Sequence, residues 1–184
     1  GRLAAAFLRL THYFLASTTE YWGLVLADDF KFEITGPDFS FALLSLVLLG
    51  ELVGIPWSWG KLRGGTEYTW VGYSHQLREH ALGLSESRAQ WLRGWLDSLI
   101  RDRVVKVADF LAGLGRAAFA FAALDYDRPF LAPFYTFGSL HPPESVRPLP
   151  TYVLLVAQFL RDRLAVRRIM HCAQRIYYLP EPLR

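Results

Sequence analysis

WGLVLADDF, residues 22 to 30, carries an apolar run straight into two adjacent carboxylates, Asp28 and Asp29. Leu24, Val25 and Leu26 have the character of a short buried strand. Like charges side by side at the end of such a strand repel and lose hydration. The arrangement persists where a cation meets the pair, or where the pair lies on a solvated turn. The next residues, FKFEI, alternate apolar and polar. Residues 20 to 35 are therefore expected to form a β-hairpin with Ala27, Asp28 and Asp29 at its turn.

The whole chain bounds what surrounds that hairpin. Its 184 residues are 52% apolar, enough for a real core in one domain or two small ones. Only 20% are charged, which excludes a disordered chain. A net charge of +3 is too mild to announce a nucleic-acid partner by composition alone. Cys172 is the single cysteine, so no internal disulfide can form, and a reducing compartment is expected, cytoplasmic or nuclear. The uncharged run around FSFALLSLVLLG stops at Glu51, short of the ~20 residues a spanning helix needs, so no membrane partner is expected. No signal peptide is visible, and the first residue is Gly1 rather than Met, as in a piece of something longer.

Periodicity divides the rest. Leu3, Phe7, Leu10 and Phe14 give residues 1 to 17 a helical face. The segment from Gly36 to Pro56 reads as a helix opened by Asp38 or Ser40 and closed at Gly54. Residues 57 to 75 read as two extended pieces around Gly64-Gly65. From Ser85 onward the pattern is helical. SESRAQWLRGWLDSLI is a capped helix with Trp91, Trp95 and Leu99 on one face, and KVADFLAGLGRAAFAFAAL is a second. DRPFLAPFYTFGSL and SVRPLPTYVLLVAQFLRDRLAVRRIM are further helices with proline-marked starts. The expectation is an α+β first part, roughly 1 to 80, and an all-helical second part.

An Asp-Asp pair on a hairpin turn suits a divalent metal, because hard cations want dense oxygen ligands on rigid strands. After the pair come a helix, then PWSWGK with Lys61, then YTWVGYSH, and this order resembles the second half of a reverse transcriptase palm. In that family a hydrophobic strand and a Tyr-x-Asp-Asp turn give catalytic carboxylates, a helix packs beneath the sheet, a lysine comes next, and a Trp-x-Gly-Tyr hairpin forms the primer grip. Leu26 departs from the usual aromatic. The later helices, with Ser85, Trp95, Val105-Lys106-Val107, Phe110 to Phe121 and Pro129 to Tyr135, look like the thumb and connection of retroelement polymerases.

The resemblance covers about residues 20 to 140 and implies a specific organisation. Residues 1–80 would be the C-terminal part of the palm with the primer-grip hairpin, 81–140 a helical thumb, and 141–184 a helical connection toward a ribonuclease H-like region outside the chain. Asp28 and Asp29 would hold two Mg2+ ions, or Mn2+, for nucleotidyl transfer, and Lys61 would donate a proton to pyrophosphate. Trp70, Val71, Gly72 and Tyr73 would grip the primer. Trp95 would follow the duplex groove, and Arg101, Arg103 and Lys106 would meet phosphates. Partners would be an RNA or DNA template with primer and deoxynucleoside triphosphates. A third carboxylate and the nucleotide-holding fingers would precede Gly1, so these residues alone are expected to be inactive.

Each residue also has a plainer role. Lys61 suits a solvated loop, Trp70, Tyr73 and Trp95 suit packing, and Arg161, Arg163, Arg167 and Arg168 suit a solvated helix end. Glu33 sits on the outgoing hairpin arm with no sign that it replaces a ligand, and His75, His80 and His141 lack metal spacing. On that reading the chain is a non-catalytic helical interaction module or a decayed mobile-element remnant.

Overall fold

Segments with a sustained 3.6-residue period form helices, and the alternating stretch around Asp29 forms a hairpin. The computed structural model describes residues 2–15, 19–27, 29–79, 81–124, 126–166 and 170–172. Among these the fold is α+β, with six α-helices and small antiparallel sheets. It divides into two units, Gly1–Arg63 and Gly64–Arg184.

In the first unit, α1 (Arg2–Leu15) precedes an antiparallel hairpin of β1 (Glu20–Leu26) and β2 (Asp29–Thr35). Helix α2 (Phe39–Leu52) comes next, then a short 3-10 turn at Trp59–Lys61. α1 packs on β1 and α2 on β2. Phe30, Phe32 and Ile34, alternate residues of β2, meet a core of Phe7, Leu15, Ala42, Leu46 and Ile55. The expected face of α1 is rotated. Leu3 and Phe14 are exposed, and the buried stripe runs Ala4, Phe7, Thr11, Leu15. Small residues on that stripe let the helix sit close to the sheet, and Thr11 satisfies its hydroxyl on the Leu8 carbonyl at 2.8 Å.

The second unit opens with a meander of β3 (Glu67–Trp70), β4 (Tyr73–Gln76) and β5 (Ala81–Leu84), and β8 (Met170–Cys172) adds at the β5 edge. Its turn falls at Val71-Gly72, and not at Gly64-Gly65 as the glycine pair suggested. Then come α3 (Glu86–Asp102), β6 (Val104–Lys106), α4 (Val107–Ala120), a 3-10 turn at Arg128–Leu131, α5 (Ala132–Leu140), β7 (Val146–Pro148) and α6 (Thr151–Val166). β6 pairs antiparallel with β7. The region after residue 80 is thus not all-helical. Strands of three or four residues are too short to display an alternating pattern, and distant pairing decides them.

The core of this unit is dense. Leu92 and Leu96 of α3, Leu114 and Ala117 of α4, Phe134 of α5 and Val153, Ala157 and Leu160 of α6 are all essentially inaccessible. Phe110 stacks on Phe134 at 6.0 Å and meets Phe137 edge-on at 5.1 Å. Asp127, only 4% exposed, is tied to Arg163 at 2.6 Å, which keeps its charge compensated inside.

Phe110→Ala is expected to destabilise the chain by about 3–5 kcal/mol, the cost of losing a buried aromatic and leaving a cavity. Urea unfolding followed by far-UV circular dichroism measures it. A loss below about 1 kcal/mol would mean that this aromatic cluster does not organise the core.

Candidate functional site

Leu26 pairs with Asp29, so the first hairpin closes through a two-residue connection. Ala27, its first residue, has φ +57, a left-handed conformation. Asp29 opens β2, is exposed, and makes no ion pair with a described residue. Asp28 lies outside the described residues. Asp29 therefore presents hard oxygen donors to solvent, which fits one ligand of a divalent cation. Glu33 is engaged elsewhere. Its carboxylate lies 2.7 Å from Lys31 Nζ, and that ammonium also sits over the Trp22 ring at 5.8 Å. No group of three metal-ligating side chains occurs among the described residues. Lys61 ends the 3-10 turn and is exposed.

In the second unit Trp70 and Tyr73 face each other across the β3–β4 turn. Val71 has φ +51 and Gly72 φ +76, so both turn residues are left-handed. That geometry suits Asn-Gly, whereas a β-branched residue is strained there. Tertiary contacts hold the turn in place. The Ser85 amide donates to the Gly72 carbonyl at 3.0 Å, and the Tyr73 hydroxyl donates to the Phe119 carbonyl. Partial burial raises the Tyr73 pKa above the ordinary phenol value, and the neighbouring Arg88 guanidinium opposes that shift.

Trp95 is half-buried. It stacks on Trp91 at 6.2 Å and packs against Phe110 and Phe134, each at 6.0 Å. A Cβ at Gly113 would collide with its indole, so the ring is seated in α4. The three cations expected to meet phosphate have the following surroundings. Arg101 is bound to the neighbouring Asp102 at 2.7 Å, and that hydrogen bond raises the Arg101 pKa and lowers the Asp102 pKa. Arg103 has φ +55 and caps α3, and Lys106 lies 3.9 Å from Glu144. Arg161 pairs with Asp162 and Asp97, whereas Arg167 and Arg168 lie outside the described residues. His75 stacks on Tyr68, His141 meets Phe137 edge-on, and His80 lies outside the described residues.

Sequence pattern gave no sign of a groove of about 540 Å³ between the β3–β4 turn, the start of α3 and the end of α4. Arg88 and Arg116 line it. They stand far apart in sequence, and only the packing of α3 on α4 brings them together, so no local spacing could reveal the pair.

Val71→Asn relieves left-handed strain and is expected to stabilise the second unit by about 1 kcal/mol, read as a raised thermal midpoint. For Tyr73 the folded-state pKa exceeds the unfolded value. Its contribution is then complete below the ordinary phenol value of 10.0 and lost as pH rises through the folded value. Tyr73→Phe is expected to cost about 0.5–1.5 kcal/mol at neutral pH and to flatten the alkaline decline of stability, measured by urea melts from neutral to strongly alkaline pH.

Set beside protein-family models, curated proteins and solved structures, the chain matches none of them.

Proposed function

We propose that the chain is the C-terminal palm, thumb and connection portion of a retroelement RNA-directed DNA polymerase. The observation that carries this reading is the order of elements. An antiparallel hairpin with an exposed Asp29 beside its turn leads into α2, then into a second hairpin turning at Val71-Gly72, then into a helical unit opened by the Ser85-capped α3. That order supports the resemblance carried by Asp28-Asp29, Lys61, Trp70 to Tyr73 and the motifs after Ser85.

On this reading Asp28 and Asp29 would supply two of the carboxylate ligands of Mg2+. The metal would supply charge stabilisation for the attacking and leaving oxygens of nucleotidyl transfer. Trp70 to Tyr73 position the primer end, and the rigid turn suits that task because a displaced primer terminus loses alignment. No helix among the described residues is long and apolar enough to cross a membrane.

A second reading has its own observation. In α2, Phe39, Phe41, Leu43, Leu44, Leu48 and Leu52 are exposed, an apolar surface of the kind that marks a protein-protein contact. A non-catalytic interaction module would use that surface and leave the aspartates inert.

The full-length parent separates the two. Magnesium-dependent primer extension is expected to fall at least about a hundredfold in Asp28→Asn and in Asp29→Asn, since a catalytic metal supplies several kcal/mol to the transition state. The 184 residues alone are expected to incorporate no nucleotide. Undiminished extension by both variants would overturn the catalytic assignment and favour the interaction module.

A further inference from the structure

We infer that the groove between the β3–β4 turn, α3 and α4 is a binding site for a phosphate ester. Ser85, Ser87, Arg88, Trp91, Arg116 and Phe119 form most of its lining, which contains no acidic residue. It is an open groove of about 540 Å³ rather than an enclosed cavity, so a ligand would lie along it partly in solvent.

Two guanidinium groups face this space without a carboxylate. The Arg88 guanidinium carbon lies 4.6 Å from the Phe119 ring centre and 4.9 Å from that of Tyr73. Arg116 lies over Trp91 at 5.9 Å. Stacking occupies the faces of a guanidinium and leaves its in-plane N–H edge available. Arg88 Nη1 is fully buried behind the groove wall and has no hydrogen-bond partner among the described residues, a costly state that a small swing of the side chain toward the groove would relieve if a ligand there supplied an acceptor. Neither arginine forms an ion pair among the described residues, whereas the nearby Glu86 is taken by Gln90 at 2.9 Å and Arg93 at 3.5 Å.

The chemistry selects the ligand. Two uncompensated positive charges match the roughly −1.5 to −2 of a phosphomonoester near neutral pH, or successive phosphodiesters, better than a single carboxylate. Arginine forks bind phosphate oxygens in a bidentate manner. The hydroxyls of Ser85 and Ser87 stand 3.3 Å from each other at the same wall and add further polar contacts. The positive end of the α3 dipole strengthens the same preference. Gly72, at φ +76, lines the rim, and a Cβ there would displace the Arg88 guanidinium.

This site adjoins the β3–β4 turn that the polymerase assignment gives to the primer, but it is argued from the two arginines and not from the aspartates. Phosphate could arrive on a small ester or on a nucleic-acid backbone, and different probes distinguish these. The full chain, R88Q, R116Q, R116K and the control R147Q would be titrated with inorganic phosphate and a nucleoside 5′-monophosphate at matched ionic strength. The same proteins would be titrated with a labelled DNA duplex over a range of salt. Circular dichroism establishes that each variant is folded. Should R88Q fail to fold, R116Q and R116K carry the test, the second keeping the charge and losing the fork.

R116Q is expected to weaken phosphate binding at least roughly tenfold, with R116K intermediate and R147Q unchanged. If the duplex loses affinity in R116Q and its salt slope falls by about one, the phosphate belongs to nucleic acid. If duplex binding is untouched while phosphate and monophosphate binding falls, the ligand is a small ester. Absence of phosphate binding by the unmodified chain, or equal affinity in folded R116Q, would overturn the inference. Neither result bears on metal-dependent primer extension, so the two readings fail separately.

Discussion

Burial of one stripe of α3 sets the second unit. Ala89, Leu92, Leu96 and Leu99 recur at helical spacing and are all nearly inaccessible, on a helix that packs against α4 and α6. Both ends of the helix are tied to strands. At its start the Ser85 amide holds the Gly72 carbonyl, and at its end the Leu149 amide donates to the Arg103 carbonyl at 2.7 Å, next to the β6–β7 pair. Removing the stripe would release the β3–β4 turn and the groove wall together, because each is positioned by reference to this helix.

With α3 fixed, two groups of its neighbouring cations differ in their surroundings. Arg93, Arg101, Arg161, Arg163 and Lys106 each have a carboxylate within 4 Å, and the exposed pairs among them contribute little to stability or recognition. Arg88 and Arg116 instead have aromatic rings as neighbours. In a chain of net charge +3, the position of unpaired cations matters more than their total. Of the basic residues near the α3–α4 link expected to meet phosphate, Arg101 and Lys106 each have an exposed acidic neighbour.

Local pattern revealed what local physics decides. The long helices, the Ser85 cap and the β1–β2 hairpin follow from periodicity and turn chemistry within one window. The strands β5, β6 and β7 do not, since Ala81–Leu84, Val104–Lys106 and Val146–Pro148 owe their state to pairing beyond the reach of a short window. Gly64-Gly65 is the stronger turn signal, yet the chain reverses at Val71-Gly72 against local preference. The aspartate pair is visible as two adjacent letters, whereas the arginine pair appears only in the three-dimensional arrangement. A cluster within one turn can be read from sequence; one formed between two helices cannot.

The strain at Val71 explains how the groove keeps its shape. A β-branched residue in the left-handed region relaxes unless its surroundings over-determine it. Here they do, through the Trp70–Tyr73 pairing, the Tyr73 hydroxyl on the Phe119 carbonyl and the Ser85 amide on the Gly72 carbonyl. The same contacts seat Arg88 between Tyr73 and Phe119. Relaxing the turn would shift Tyr73 and Gly72, and the guanidinium would lose one of its two aromatic walls. Turn geometry and arginine placement are therefore one constraint, and the arginine edge stays aimed because the backbone beside it is not free to settle elsewhere.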